Sequence, residues 1–389
     1  MSAVPEQPTR PHRNTTTRPT VLFVDEHGWD CFFQLSTGLR RAGFRTVRIT
    51  TTPFRRAVGQ LCFDRTVGLS SPDELDGLAE IVDGDQIVDV QVVDALSVPT
   101  ARGLSRLVDN PALADWQARA ATVDKPWVAK RLREAGLSVP AQIDGDVVGA
   151  DQVIETLGLP VVHKVRTGSG GEGVVIVTSR DELEQLLARD RHTGSTFFEQ
   201  FIDGRHLQFA GVTMDGREGL FVTYETLVRK GHMGPASALR YVDDPPIDAA
   251  GRDAVAALGI RGPVNINFIR DADGVDWIHD VNPRLWGSVV SFRAVGLDFL
   301  AAYIAYLRGA RRFDAPSGAI STEKILAFPA AFQIPLEGAS PLANQWRFVR
   351  GAWPYLRWAG PRYVVHAFGH RLTNRDPTPV AAPAAPSTA

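Results

Sequence analysis

The 389-residue chain is predicted to fold as an α/β domain followed by an α+β domain, with a helical appendage towards its C-terminus. Three observations predict this. Short apolar runs alternate with helical stretches over the first ~100 residues, the pattern of a parallel sheet with crossover helices. From Val161 onward the runs are separated instead by Gly-rich turns, as in antiparallel strands. A composition of 44% hydrophobic and 22% charged residues is that of a globular protein, and the length exceeds what one core organises.

The α/β part opens with VLFVDE (Val21–Glu26), an apolar run suited to a buried parallel strand. A helical stretch runs to Arg41, then strands follow at Phe44–Thr50 and Ile87–Val93. The first turn, DEHGWD, lacks the GxGxxG of a dinucleotide fold, so no dinucleotide is placed there. Helical patterning returns over Ala112–Gly136, with Pro140 predicted to end it. The strand series VVHKV, GVVIVTS, TFFEQFI, HLQFAGVTM and GLFVTYETLV makes the α+β part. VNINFI, VDWIHDV and a helix near Val295–Arg308 close it. No internal repeat is visible.

The expected boundaries are a disordered arm over 1–19, the α/β domain over 20–122, the α+β domain over 123–310, a helical extension over 311–375 and a disordered Pro/Ala-rich tail over 376–389. The extension carries WRFVRGAWPYLRWAGPRYVVHAFGHRL, whose Trp and Tyr suit docking on the body while the Arg side chains reach outward; a membrane surface is the weaker alternative. A net charge of −2 gives no footprint for nucleic acid. Cys31 and Cys62 stand in no metal or redox spacing and read as small core residues. No apolar window reaches a membrane span and no h-region opens the chain, so a soluble, cytoplasmic protein is expected.

Two stretches carry chemistry. In HKVRTGSGGEGVVIV (His163–Val177) the glycines 168, 170, 171 and 173 follow one strand and precede another. A dinucleotide loop would open a helix, and a protein kinase would need later motifs that are absent. A β-hairpin flap remains, whose backbone N–H groups close on phosphates, with Lys164 on the incoming strand to neutralise charge. In DWIHDVNPRLWGS (Asp276–Ser288), strand alternation places Asp280, Asn282 and Arg284 on one face. A carboxylate, an amide and a guanidinium together suit a divalent cation beside phosphate oxygens.

Strand, lysine, Gly-rich flap, FFEQFIDG, VNINFI and DVNPRLWGS, in that order over about residues 20–310, resemble the ATP-grasp superfamily and its carboxylate–amine-ligase and carbamoyl-phosphate-synthase branch. The resemblance implies two subdomains clasping ATP, with Mg²⁺ or Mn²⁺. It implies that Lys125 and Lys164 contact ATP phosphates beneath Gly168, Gly170, Gly171 and Gly173. Glu199, Gln200, Phe201 and Ile202 would meet adenine, and His206 would stand where relatives carry an acid for the ribose. Asn267, Asp280 and Asn282 would hold the cation, one charged ligand of three. Arg284 would bind the carboxylate or its acyl phosphate, and Arg229, Lys230 and Arg240 would flank the substrate. The activity implied is ATP-dependent joining of a carboxylate to an amine or thiol through an acyl phosphate, with small-molecule partners and the oligomeric state left open. The alternatives are activation of bicarbonate, or an ATP-binding module with weakened catalysis.

Overall fold

A computed structural model describes residues 18–25, 30–51, 62–82, 86–105, 114–145, 149–168, 171, 173–190, 195–229, 236–314 and 324–326. The first unit is a four-stranded parallel sheet of β1 (Pro19–Asp25), β2 (Arg45–Thr50), β3 (Arg65–Gly68) and β4 (Gln86–Val92), ordered β3-β2-β1-β4. Its strands are apolar because both faces are covered. Helix α1 (Asp30–Arg41) lays Phe32, Phe33, Leu35 and Leu39 on one side. The single turn α2 (Leu78–Ile81) and helix α3 (Ser97–Leu104) cover the other. Half-exposed β3, with the sequence RTVG, is too short and polar to stand out in the sequence.

The helical stretch over 112–136 is two helices, α4 (Ala114–Ala121) and α5 (Lys125–Glu134). The predicted stop at Pro140 is corrected: α5 ends at Gly136, whose φ of +79° lets Leu137 N–H return to the Leu132 carbonyl at 3.0 Å. Proline only had to lie beyond that point.

The α+β part is two sheets. The small one, ordered β5-β8-β6-β7, contains β5 (Gln142–Asp144), β6 (Val161–Val165), β7 (Val175–Val177) and β8 (Thr196–Gln200), all antiparallel. Val161, Val177 and Phe198 pack against α6 (Ala150–Leu157) and α7 (Arg180–Asp190) through Val153, Leu157, Leu183 and Leu187. The large sheet is ordered β13-β12-β9-β10-β11-β14. Its strands are β9 (Arg205–Asp215), β10 (Glu218–Arg229), β11 (Ala236–Val242), β12 (Gly262–Arg270), β13 (Asp276–Asn282) and β14 (Lys324–Leu326). One face, with Leu207, Phe209, Val264, Ile266 and Phe268, packs on α5 and α8 (Pro245–Leu258).

Over β9–β11 the opposite face buries Ala210, Val212, Tyr224 and Tyr241 against α9 (Phe299–Leu307) and the phenylalanines of α1. The first unit thus shares a core with the large sheet. Asp89 of β4 fastens the junction, accepting hydrogen bonds from Arg119, Gln91 and Tyr303. Cys31 and Cys62 are buried in this core. Within 311–375, β14 pairs with β11, while the Arg/aromatic run, the first 17 residues and the tail lie outside the described residues. No described helix is long and apolar enough to cross a membrane.

Candidate active site

The small sheet turns one face away from its helices. Paired strand residues share a face, so Val162 with Glu199, and Lys164 with Phe197, lie on that open side. Lys164, 4% exposed, is ion-paired with Glu199. Its Nζ also donates to the His279 carbonyl at 3.2 Å, across to the large sheet. The other Glu199 oxygen accepts from Gln142 Nε2 at 2.8 Å. The Glu199 side chain is thus bonded to both Lys164 and Gln142. Gln200 is held at both ends, its N–H donating to the Ala141 carbonyl at 2.9 Å and its Oε1 accepting from Ala141 N at 3.4 Å. Phe201 and Ile202 follow the strand, half-buried.

Lys125 begins α5, where its own N–H donates to the Arg166 carbonyl at 3.2 Å. That bond pins the helix start beside the end of β6. Lys125 Nζ donates to the Gly168 carbonyl at 3.0 Å and lies 3.7 Å from Asp280 Oδ1. Gly168 leads into the connection between β6 and β7, an antiparallel hairpin. At Gly173, φ is +71° and an added Cβ would come within 2.7 Å of Val165 Cγ1, so only glycine fits where the flap folds back on its own strand. Gly171 also has positive φ, and Gly170 lies outside the described residues.

The large sheet supplies the third wall. On the face that α9 covers farther along, β12 and β13 are polar: Asn267 pairs with Asp280, and Asn265 with Asn282. The register then steps from Asp280 to Ile278, a bulge at His279. Asp280 Oδ2 accepts from Asn267 Nδ2 at 3.2 Å and from Asn282 Nδ2 at 2.7 Å. Burial alone would raise the Asp280 carboxyl, but Lys125, His279 and Lys164, with the Asn282 bond, hold it below the usual carboxylate range. Asn265 Nδ2 donates to Gln208 Oε1 at 2.9 Å and to Tyr224 Oη at 3.0 Å, so buried polar contacts continue behind the site. His206 sits on β9, its ring 6.2 Å from that of His279.

Among the described residues no cluster of three His, Cys, Asp or Glu side chains could hold a metal. The donors available are one ionised carboxylate, a quarter exposed, and two amides. Both amides turn Nδ2 to Asp280 and the Asn282 oxygen accepts from Arg284, so the hard oxygens that fit Mg²⁺ are Asp280 Oδ1 and the Asn267 amide oxygen, with phosphate oxygens in the rest of the ion's shell.

Lys125, Lys164, Gly168, Glu199, Asn267, Asp280 and Asn282 are thus brought together. Arg284 joins them through Asn282, its Nη2 donating to Oδ1 at 2.7 Å. Arg240 does not join them. It pairs across β10 with Glu225, one residue out of phase with the Tyr224–Tyr241 pair, and so lies on the opposite face. Lys230 and the side chain of Arg229 lie outside the described residues. Gln142, the His279 carbonyl and Asp94, which binds Arg284, were not found from sequence. Gln142 belongs to a three-residue strand, and the other two depend on a bulge and on a partner 190 positions away. An Asp directly after a parallel strand was the one available signal.

The family described as "ATP-grasp domain" matches residues 122–288, which spans both lysines, the flap and Asp280 to Ser288. Residues 122–288 have the ATP-grasp fold. The chain is 28% identical over 213 residues to D-alanine–D-alanine ligase A of Mesorhizobium japonicum, covering 49% of this chain and 58% of that protein. It is 27% identical over 272 residues to the carbamoyl phosphate synthase large chain of Streptomyces avermitilis, covering 64% of this chain and 24% of that one. The ATP-grasp fold extends to a solved structure, the biotin carboxylase domain of Hydrogenobacter thermophilus 2-oxoglutarate carboxylase in complex with MgADP, ADP and bicarbonate. There the TM-score is 0.60 and identity 16%, over 76% of this chain and 70% of that one. The chain spans little more than half the length of the Mesorhizobium ligase and a quarter of the synthase chain.

Proposed function

We propose that the chain is an ATP-dependent ligase that activates a carboxylate as an acyl phosphate and joins it to an amine, or to a thiol, releasing ADP and phosphate. One observation carries the reading: Lys125, Lys164 and Asp280 converge under a glycine flap, with Nζ of Lys164 bonded to the peptide carbonyl that precedes Asp280. Two ammonium groups and one carboxylate in a cleft between two sheets suit a polyphosphate with a cation, and the ATP-grasp domain match supports ATP as that polyphosphate. The ligase named above supports carboxylate–amine joining.

Catalysis by these residues is electrostatic. A carboxylate oxygen attacks the γ-phosphorus, the bond to the β-phosphate oxygen breaks, and ADP leaves. Lys125 and Lys164 lie where they offset charge on the phosphate oxygens. The amine then attacks the acyl carbon, loses a proton and expels phosphate. No protein nucleophile takes part. Closing of the flap excludes water from the acyl phosphate, which would otherwise hydrolyse. Asp280, with the amide oxygen of Asn267, would hold Mg²⁺, and Asn282 would orient the Asp280 carboxylate; the ion would supply Lewis-acid neutralisation of phosphate charge.

Hydroxylamine trapping tests the reading. The full chain is incubated with ATP, Mg²⁺, hydroxylamine and pooled carboxylic acids, and hydroxamates are read by mass spectrometry alongside ADP release. An ATP-dependent hydroxamate is expected. ADP release with bicarbonate and no organic acid would favour carboxylation instead, an outcome kept open by the bicarbonate-bound neighbour. Tight ADP binding without turnover on any acid would leave a binding module, the reading that a single carboxylate at the cation wall favours.

A further inference from the structure

Arg284 is 5% exposed, and its main partner lies in the other unit of the chain. Nε and Nη2 donate to Oδ1 and Oδ2 of Asp94 at 2.8 and 3.2 Å, and Nη1 donates to the Leu285 carbonyl at 3.1 Å. Asp94, 6% exposed, stands just past the end of β4. From within the same strand, Gln91 Oε1 accepts from the Leu285 backbone N–H at 2.9 Å. The segment after β13 is therefore gripped at two points by the first unit. The edge of Arg284 that the resemblance assigns to a substrate carboxylate is already held by a carboxylate of the chain.

A guanidinium donates and never accepts. Asn282 must therefore present Oδ1 to Arg284, which turns its Nδ2 to Asp280 Oδ2. With Asn267 donating to the same oxygen, Oδ2 is occupied, and Oδ1 is the atom facing Lys125. We infer that Asp94 is a positioning residue for the cation wall: by holding Arg284 it fixes the amide of Asn282 and aims Asp280 Oδ1 at the lysines. The inference rests on the nucleotide reading above and deepens it.

The test measures cation affinity without turnover. Free Mn²⁺ is counted by electron paramagnetic resonance in titrations of the full chain with saturating ADP, and ADP affinity is measured separately in EDTA. Asp94→Asn keeps the size of the side chain and loses its charge, and it should weaken Mn²⁺ binding about tenfold, the scale seen when a partner of a metal ligand is removed. Affinity for ADP in EDTA should stay unchanged. Asp94→Glu keeps the ion pair but shifts it by one methylene, so a smaller loss of a few-fold is expected. It decides the matter alone should Asp94→Asn fail to fold. Tyr303→Phe removes only an interface bond to Asp89 and should leave Mn²⁺ affinity untouched.

Unchanged Mn²⁺ affinity in the Asp94 variants overturns the inference, as does an equal loss in Tyr303→Phe. No ADP binding by the unaltered chain overturns this inference together with the nucleotide reading, whereas normal ADP binding with unaltered Mn²⁺ affinity overturns this inference alone.

Discussion

The two faces of the large sheet carry charge in opposite ways. On the α8 face, Arg270 is closed on Asp244 at 2.8 Å and on Asp276 at 2.7 Å, and Glu225 takes bonds from both Arg205 and Arg240. Burial would raise the Glu225 carboxyl, but the two arginines hold it below the ordinary range. On the cleft face, Asp280 receives two amide N–H bonds, and its one close ammonium, Lys125, stands 3.7 Å away. Charge on the first face is spent within the protein. On the second it is held in place and left to act on something else. Ion pairs closed on each other away from the cleft are structural, and groups that converge in it mark a site, Lys164 among them although it is paired with Glu199.

The largest effect that tests this contrast is at Lys164. Lys164→Ala should lower kcat by about 10²–10³-fold, the scale of a lost electrostatic contact in a dry site. It also strands the buried Glu199, so unfolding free energy should fall by about 3–5 kcal/mol. Lys164→Ala with Glu199→Gln should recover much of the stability in denaturant titration and none of the activity. If activity returns as well, Lys164 acts only by closing its ion pair.

Asp280→Asn comes next. Nucleotide affinity in EDTA should hold, while the Mg²⁺ needed for half-maximal binding rises by about tenfold or more. Wild-type Mg²⁺ dependence in this variant would remove Asp280 from the cation wall. The pH dependence follows from the same group. Its folded pKa lies below the unfolded value near ~4, so its stabilising contribution is complete above that value and is lost as pH falls through the folded one. Mg²⁺-dependent binding at pH 5 should therefore equal that at pH 7 as far as Asp280 controls it, and a decline centred above pH 5 would assign the titration to another group.

On the opposite face, Arg270→Ala should reduce stability by about 2 kcal/mol, because two partly buried carboxylates lose a shared partner, with turnover preserved. Arg240→Ala should do least. Its side chain is 39% exposed, and a surface pair contributes about 0–1 kcal/mol, so turnover within twofold of wild type is expected. A tenfold loss of turnover would place Arg240 back beside substrate.

Much of the fold was legible because its signals are local. Apolar runs marked β1, β2 and β4, and glycines between β-branched strands marked the flap hairpin. Alternation put Asp280 and Asn282 on one face, and the same rule applied to VNINFI put Asn267 opposite Asp280. What the sequence hid depends on pairing at a distance. The α+β part splits into two sheets between Gln200 and Arg205, a division that only the strand partners reveal. Glu199 looked available because nothing local shows that β6 sets Lys164 on its face. Arg240 could have been placed by phase, since Leu239 and Tyr241 flank it as apolar neighbours, but the choice of buried face required knowing what covers β11.

The bulge at His279 has a further consequence. One additional residue in β13 lets Ile278 and Val281 reach the apolar side while Asp280 and Asn282 keep to the cleft, and it turns a main-chain oxygen towards the small sheet. Deleting His279 would restore an even ladder without moving its neighbours, since Asp280 already pairs with Asn267 and Ile278 with Phe268, so the apolar seam would keep its register while the main-chain oxygen that meets Lys164 was lost. A single-residue deletion there should cost the molecule the contact between Lys164 and the large sheet, which replacing the imidazole with alanine would keep because it is made by the main chain.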